Sequence, residues 1–220
     1  MTTNKPNTFL ILFFALTLFT MLSPVQIRAE VSLKDTLYRK GNEYCVYIDR
    51  DCNSANIKKF IDRINIDRYV LTDIQHQIGK MRDNGIRLFH FDLGHLEGTY
   101  IRLRTIGGEK VTTGYMPHIT YISDSLIVWH EFDSWPYAIQ NVECIQSGTT
   151  VVETISYSGK SVIFTITETD FEKRVIEIRT DDEGYVPKGL YVHSATANCF
   201  PHIVWECDGE PDGIRLPFED

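Results

Sequence analysis

Two hydrophobic periods divide the chain. Between Ile57 and Met81 the apolar residues Ile57, Phe60, Ile61, Ile64, Leu71, Ile74, Ile78 and Met81 recur at spacings of three, four and seven. That is the stripe of an amphipathic helix, and its role is packing against a core. Asn53 or Ser54 can cap its start, Asn84-Gly85 can end it, and "NID" at 65–67 can break it in two, because Asp67 is itself a good cap. From Ile86 onward the period becomes two, as in β-strands with one buried face. It predicts strands at 86–93, 99–106, 118–123, 125–132, 139–145, 150–157, 161–168, 174–180, 188–193 and 202–206, after an earlier one at 43–48. Gly107-Gly108, Asp124-Ser125, Ser158-Gly159 and the run 181–184 are tight turn signals, so the strands they join are antiparallel.

The expected fold is therefore α+β, an N-terminal amphipathic helical segment packed on an antiparallel β-meander. The alternative is a meander that curls into a calycin-like β-barrel. No internal repeat or linker interrupts the sequence.

The N-terminus changes the picture of location. Lys5 precedes a 14-residue apolar run, "FLILFFALTLFTML", which Pro24 ends; Ala29 offers a small residue for cleavage. A membrane-spanning helix needs ~20 apolar residues, whereas the core of an export signal needs ~7–15. Residues 1–29 read as a signal peptide and 30–220 as a single globular domain, periplasmic or secreted, with no membrane insertion after signal removal. That leaves 191 residues, enough for one real core. Lys5 and Arg28 are lost with the signal, so 20 basic residues face 30 acidic ones, a net charge of −10. Such a surface repels nucleic acid and suits a basic protein partner. Export also permits disulfides. Of the five cysteines, Cys45 and Cys52 flank "VYIDRD", which can turn back on itself, and are the expected bridge; the pairing of Cys144, Cys199 and Cys207 stays open.

Four stretches carry candidate chemistry. "FHFDLGHLEG" brings His90, Asp92, His95 and Glu97 within eight residues, all potential metal ligands. If 86–93 forms a hairpin with 99–106 about Leu96, His90 faces Arg102, whose guanidinium disfavours a divalent cation, and His95 and Glu97 fall in the turn. No metal or other cofactor is expected. In "HITYISDSLIVWHEF" a two-residue turn at Asp124-Ser125 sets His118 opposite Glu131 and Thr120 opposite Trp129. A carboxylate beside an imidazole can orient it for proton transfer, but an ordinary cross-strand pair is the simpler reading. The continuation "WHEFDSWPY", with Trp129 and Trp135, can line a binding surface. Around Ser158-Gly159, Glu153 falls in an apolar row with Val151 and Ile155, facing Phe164, where it would be a ligand handle if buried. The tail carboxylates Asp208, Glu210 and Asp212 lack the spacing of a calcium loop.

The chain contains no GxSxG, SxxK, Walker A, GxGxxG or HExxH pattern. The reading is an exported non-enzymatic binding protein, an inhibitor or immunity-type protein masking a protein partner. The alternatives are a small hydrolase or metal-dependent enzyme, and a lipocalin-like carrier of a small ligand.

Overall fold

The computed structural model describes residues 36–40, 43–66, 68–114, 118–131, 133–182, 188–206 and 216–219. The expected signal segment, Cys207 and the 208–212 carboxylates lie outside them. Leu37–Asp220 forms one compact unit.

The helical stripe forms two described helices, α1 (Ala55–Ile66) and α2 (Arg68–Asp83); Asp67 of the expected "NID" break lies outside the described residues. Ser54 Oγ accepts the Ile57 amide at 3.3 Å, which caps α1. Gly85 takes a φ of 76° as Ile86 N–H returns to the Met81 carbonyl, which ends α2.

The strands are β1 (Thr36–Lys40), β2 (Glu43–Asp49), β3 (Gly98–Arg102), β4 (Arg104–Ile106), β5 (Glu109–Thr113), β6 (Ile119–Ile122), β7 (Leu126–His130), β8 (Ser134–Gln146), β9 (Thr149–Ser156), β10 (Ser161–Asp170), β11 (Val175–Thr180), β12 (Gly189–His193) and β13 (His202–Trp205). Eight of them, in the order β3-β6-β7-β8-β9-β10-β11-β12, close into an antiparallel barrel as β12 returns to pair with β3. The other five form a sheet ordered β1-β2-β13-β5-β4, with β13 parallel to β5.

The architecture thus corresponds to the calycin-like alternative and corrects the open α+β meander. Alternation fixes which residues share a face, but nothing local marks the distant strands that pair to close the sheet. The helices pack outside the barrel. Ile57, Phe60 and Ile64 of α1 cover Ile101 and Val192 on the β3–β12 seam and Ile119 and Val175 on the flanking β6 and β11. Ile78 and Met81 of α2 cover Leu126, Val128 and Ala138. This is why all five residues of β7 are buried: one face lines the barrel and the other meets a helix. Inside, Tyr100, Ile127, Ile139, Phe164, Ile166, Ile178 and Tyr191 fill the middle. Each such fully buried side chain contributes about 1.5–3 kcal/mol.

Four local expectations are corrected. Residues 86–93 form no strand: Ile86 and Leu88 pack towards α2, while Phe91 and Leu93, with Leu96 of a short 3-10 turn, plug one barrel end. The expected 99–106 strand is two strands. The chain leaves the barrel at Leu103 for β4, and Gly107-Gly108, with φ of 57° and 77°, turns it into β5, which periodicity missed along with β1. Cys45 and Cys52 are not bridged: Cys45 is buried within β2 and Cys52 lies exposed beyond it, with four extended residues, about 13 Å, already between Cys45 and the strand's end. Cys144 and Cys199 are free as well. The β9–β10 turn is one residue longer than expected, with consequences for Glu153 described below.

Two glycines act in opposite ways. Gly98 opens β3 at φ 141°, and a Cβ there would lie 2.8 Å or less from the His193 ring. Gly79, within α2, has nothing within 4 Å of where a Cβ would stand. Gly98→Ala should cost at least about 2 kcal/mol, and Gly79→Ala should stabilise by about 0.5–1 kcal/mol, both read by urea unfolding.

His202 gives a pH signature. It is 4% exposed, stacks on Phe60 at 4.6 Å and has Nδ1 3.0 Å from Thr112 Oγ1. Burial pushes its pKa down from 6.5 to about 4, against the pull of Asp49. The unfolded chain therefore binds a proton that the fold refuses. The stability this provides is complete above about pH 6.5 and is lost as the pH falls towards about 4. An unfolding series across that window should show the decline, with a shallower slope in His202→Gln.

Candidate functional site

The β6–β7 hairpin builds the core of the site. Ser123 Oγ accepts the Leu126 amide at 3.1 Å, bracketing the two-residue turn Asp124-Ser125. Ile122 then pairs with Ile127 and Thr120 with Trp129, the register read from the sequence. One step further along the same face, His118 Nε2 lies 3.2 Å from Glu131 Oε1. β8 sets Trp135 opposite Trp129, and Tyr137 opposite Ile127 on one side and Ser156 on the other.

These residues share one mouth of the barrel. There a cavity of about 470 Å³ is lined by Trp129, Glu131, Trp135, Tyr137, Lys160 and Asp182, among others. Lys160 Nζ contacts Asp182 Oδ1 at 2.7 Å across the rim, and Trp135 leans on Tyr157 with ring centroids 5.8 Å apart. Below, Tyr137 meets Phe164 edge to face at 5.1 Å, so packed rings form the floor.

The β3 side of the same mouth is basic. Arg104 Nη2 lies 3.0 Å from His118 Nε2, the nitrogen that also approaches Glu131. A neutral ring with a bare Nε2 accepts from Arg104, and a ring protonated there donates to Glu131. Beneath, Thr120 and Tyr191 are fully buried, and Trp129 is 5% exposed. Thr120 Oγ1, Trp129 Nε1 and Tyr191 Oη have no hydrogen-bond partner among the described residues; Thr120 stands near the Tyr191 phenol without reaching hydrogen-bond geometry. Burial pushes the Tyr191 phenol up to about 12, with Arg102 pulling the other way. Buried polar atoms without a partner are costly to the fold.

Four of the five sequence-predicted binding residues thus gather at one place: His118, Trp129, Glu131 and Trp135. Glu153 does not. Ser156 N–H donates to the Lys160 carbonyl around a three-residue loop in which Gly159 has φ 82°. Glu153 therefore pairs with Ile163 and is exposed on the outer face, while Val152 and Thr154 point inward. A one-residue slip exchanges the faces of a strand. The four candidate metal ligands disperse as well: His90 Nδ1 contacts Asp124 at 2.7 Å, His95 Nε2 contacts Glu168 at 2.5 Å, Asp92 accepts the Gly94 amide, and Glu97 is exposed. No group of three or more metal-ligating side chains occurs among the described residues.

Periodicity gave no signal for Tyr191, which depends on barrel closure, or for Asp182, which the β10–β11 pairing carries back towards Lys160. It also missed Ser134, which is buried with Oγ 3.0 Å from His130 Nδ1 and its amide donating to Asp73 at 2.9 Å. Burial raises the Asp73 pKa, but hydrogen bonds from Ser134 and Gln77, with the charge of His130, hold it below its usual value. In this trio the serine stands between acid and imidazole, so it ties α2 to β8 rather than forming a relay to a nucleophile.

A second cavity, of about 360 Å³, lies at the opposite end, between the plug and the β10–β11 turn. Arg174, at φ 51°, donates to the His95 carbonyl at 2.8 Å and lies 3.2 Å from His193 Nδ1. Burial, then the Arg174 charge, lowers the His193 pKa to about 4. The two cavities share no lining residue.

Comparison with protein-family models, curated proteins and solved structures finds no match to this chain.

The unsatisfied phenol makes a direct prediction. Tyr191→Phe should keep or raise unfolding free energy, by up to about 1–2 kcal/mol, because it removes a buried group that has no partner. A loss above about 2 kcal/mol in urea unfolding would mean that the hydroxyl is bonded in the fold.

Proposed function

We propose that this chain is an exported, non-enzymatic binding protein that takes a small ligand into the barrel mouth between Trp129 and Trp135. The observation that carries this reading is the 470 Å³ cavity walled by the rings of Trp129, Trp135, Tyr137 and Tyr157. Ligand sites are typically concave, about 300–1,000 Å³, and mostly apolar with a few convergent polar groups. The small-ligand reading therefore gains over a masked protein partner: net acidity favours a basic partner anywhere on the surface, whereas this cavity is one localised feature. The hydrolase reading loses ground, because the imidazole of His118 is already shared between Arg104 and Glu131.

A thermal-shift screen of small aromatic and aliphatic compounds, followed by tryptophan fluorescence, tests the proposal. Two of the three tryptophans line the mouth, so a bound ligand should change emission saturably. Trp135 is 38% exposed, so Trp135→Ala should leave the fold intact and weaken binding about ten-fold or more. Failure of every compound to bind, or binding indifferent to Trp135→Ala, contradicts the proposal.

A further inference from the structure

We infer that the ligand of this mouth is a small organic cation, an amine or quaternary ammonium; the inference rests on the binding reading above. Three carboxylates, Glu131, Asp133 and Asp182, line the cavity against one ammonium, Lys160, which is held by Asp182 at 2.7 Å. Four aromatic rings, Trp129, Trp135, Tyr137 and Tyr157, line the same space. Arg102 and Arg104 stand on the β3 side and line none of it.

The two features act together on one ligand chemistry. A cation over an indole or phenol face is attracted by the ring quadrupole, more strongly where water is thinned by neighbouring walls. Carboxylates at the rim neutralise its charge and focus the field inward. A carboxylate or phosphate ligand meets like charge there, and a neutral ring gains the stacking alone.

Benzylamine, benzyl alcohol and benzoate share one ring and differ in charge at neutral pH, so fluorescence titration with the three isolates the electrostatic part. Benzylamine should bind about ten-fold tighter than benzyl alcohol, and benzoate weakest. The double variant Glu131→Gln with Asp133→Asn should lower benzylamine to the level of benzyl alcohol, with an unchanged circular-dichroism spectrum reporting an intact fold. Asp133 is exposed, so Asp133→Asn alone is a variant that folds, with a loss of about three-fold for benzylamine only. Equal or tighter binding of the alcohol or the acid overturns the inference, as does a benzylamine preference that survives the double variant; either leaves the small-ligand reading standing. Absence of binding by all three, with other compounds still binding through Trp135, also overturns the inference alone. Absence of binding by any compound overturns both.

Discussion

The pairing of β12 with β3 is the constraint on which the structure depends. Tyr191 meets Arg102, Val192 meets Ile101, and His193 meets Tyr100 across this seam. Without it the meander has two open edges, each a row of unpaired amides and carbonyls. The seam is sealed on both sides. Inside, Tyr100 and Tyr191 bury their rings; outside, α1 lays Ile57, Phe60 and Ile64 over Ile101 and Val192. The amphipathic helix is thus the cover of the closure, which explains why an all-antiparallel barrel carries a helical segment ahead of it.

Closure also decides what the mouth contains. The chain leaves the barrel after β3, builds β4 and β5 into the second sheet, and re-enters at β6. Arg104 and His118 stand at the two ends of that excursion and meet at 3.0 Å. Closure then carries Tyr191 to the same end, beneath Trp129 and Glu131 of the neighbouring hairpin. The mouth becomes basic on one side and acidic and aromatic on the other. At the opposite end Leu93 and Leu96 pack onto the core, and the second cavity lies between them and the β10–β11 turn.

What the sequence disclosed follows from how far each signal reaches. The Asp124-Ser125 turn is short and polar, so its register, and with it the His118–Glu131 and Thr120–Trp129 pairs, was legible. The Ser158-Gly159 turn was misread by one residue, because Gly159 in a left-handed conformation completes a three-residue loop, and that slip turned Glu153 from the core to solvent. Residues 86–93 alternate like a strand because they serve two different cores in turn. Cys45 and Cys52 are near in sequence but kept apart by the straight run of β2. No local pattern could announce that Tyr191 stands beside Arg102.

The most direct test is backbone NMR on the intact chain at the β3–β12 seam. Closure predicts cross-strand nuclear Overhauser contacts between Val192 and Ile101 and between Tyr191 and Arg102, with slowly exchanging amides on both strands. Fast exchange along β12 and no contact to β3 would show an open sheet, and the placing of Tyr191 beside Arg102 at the mouth would fall with it.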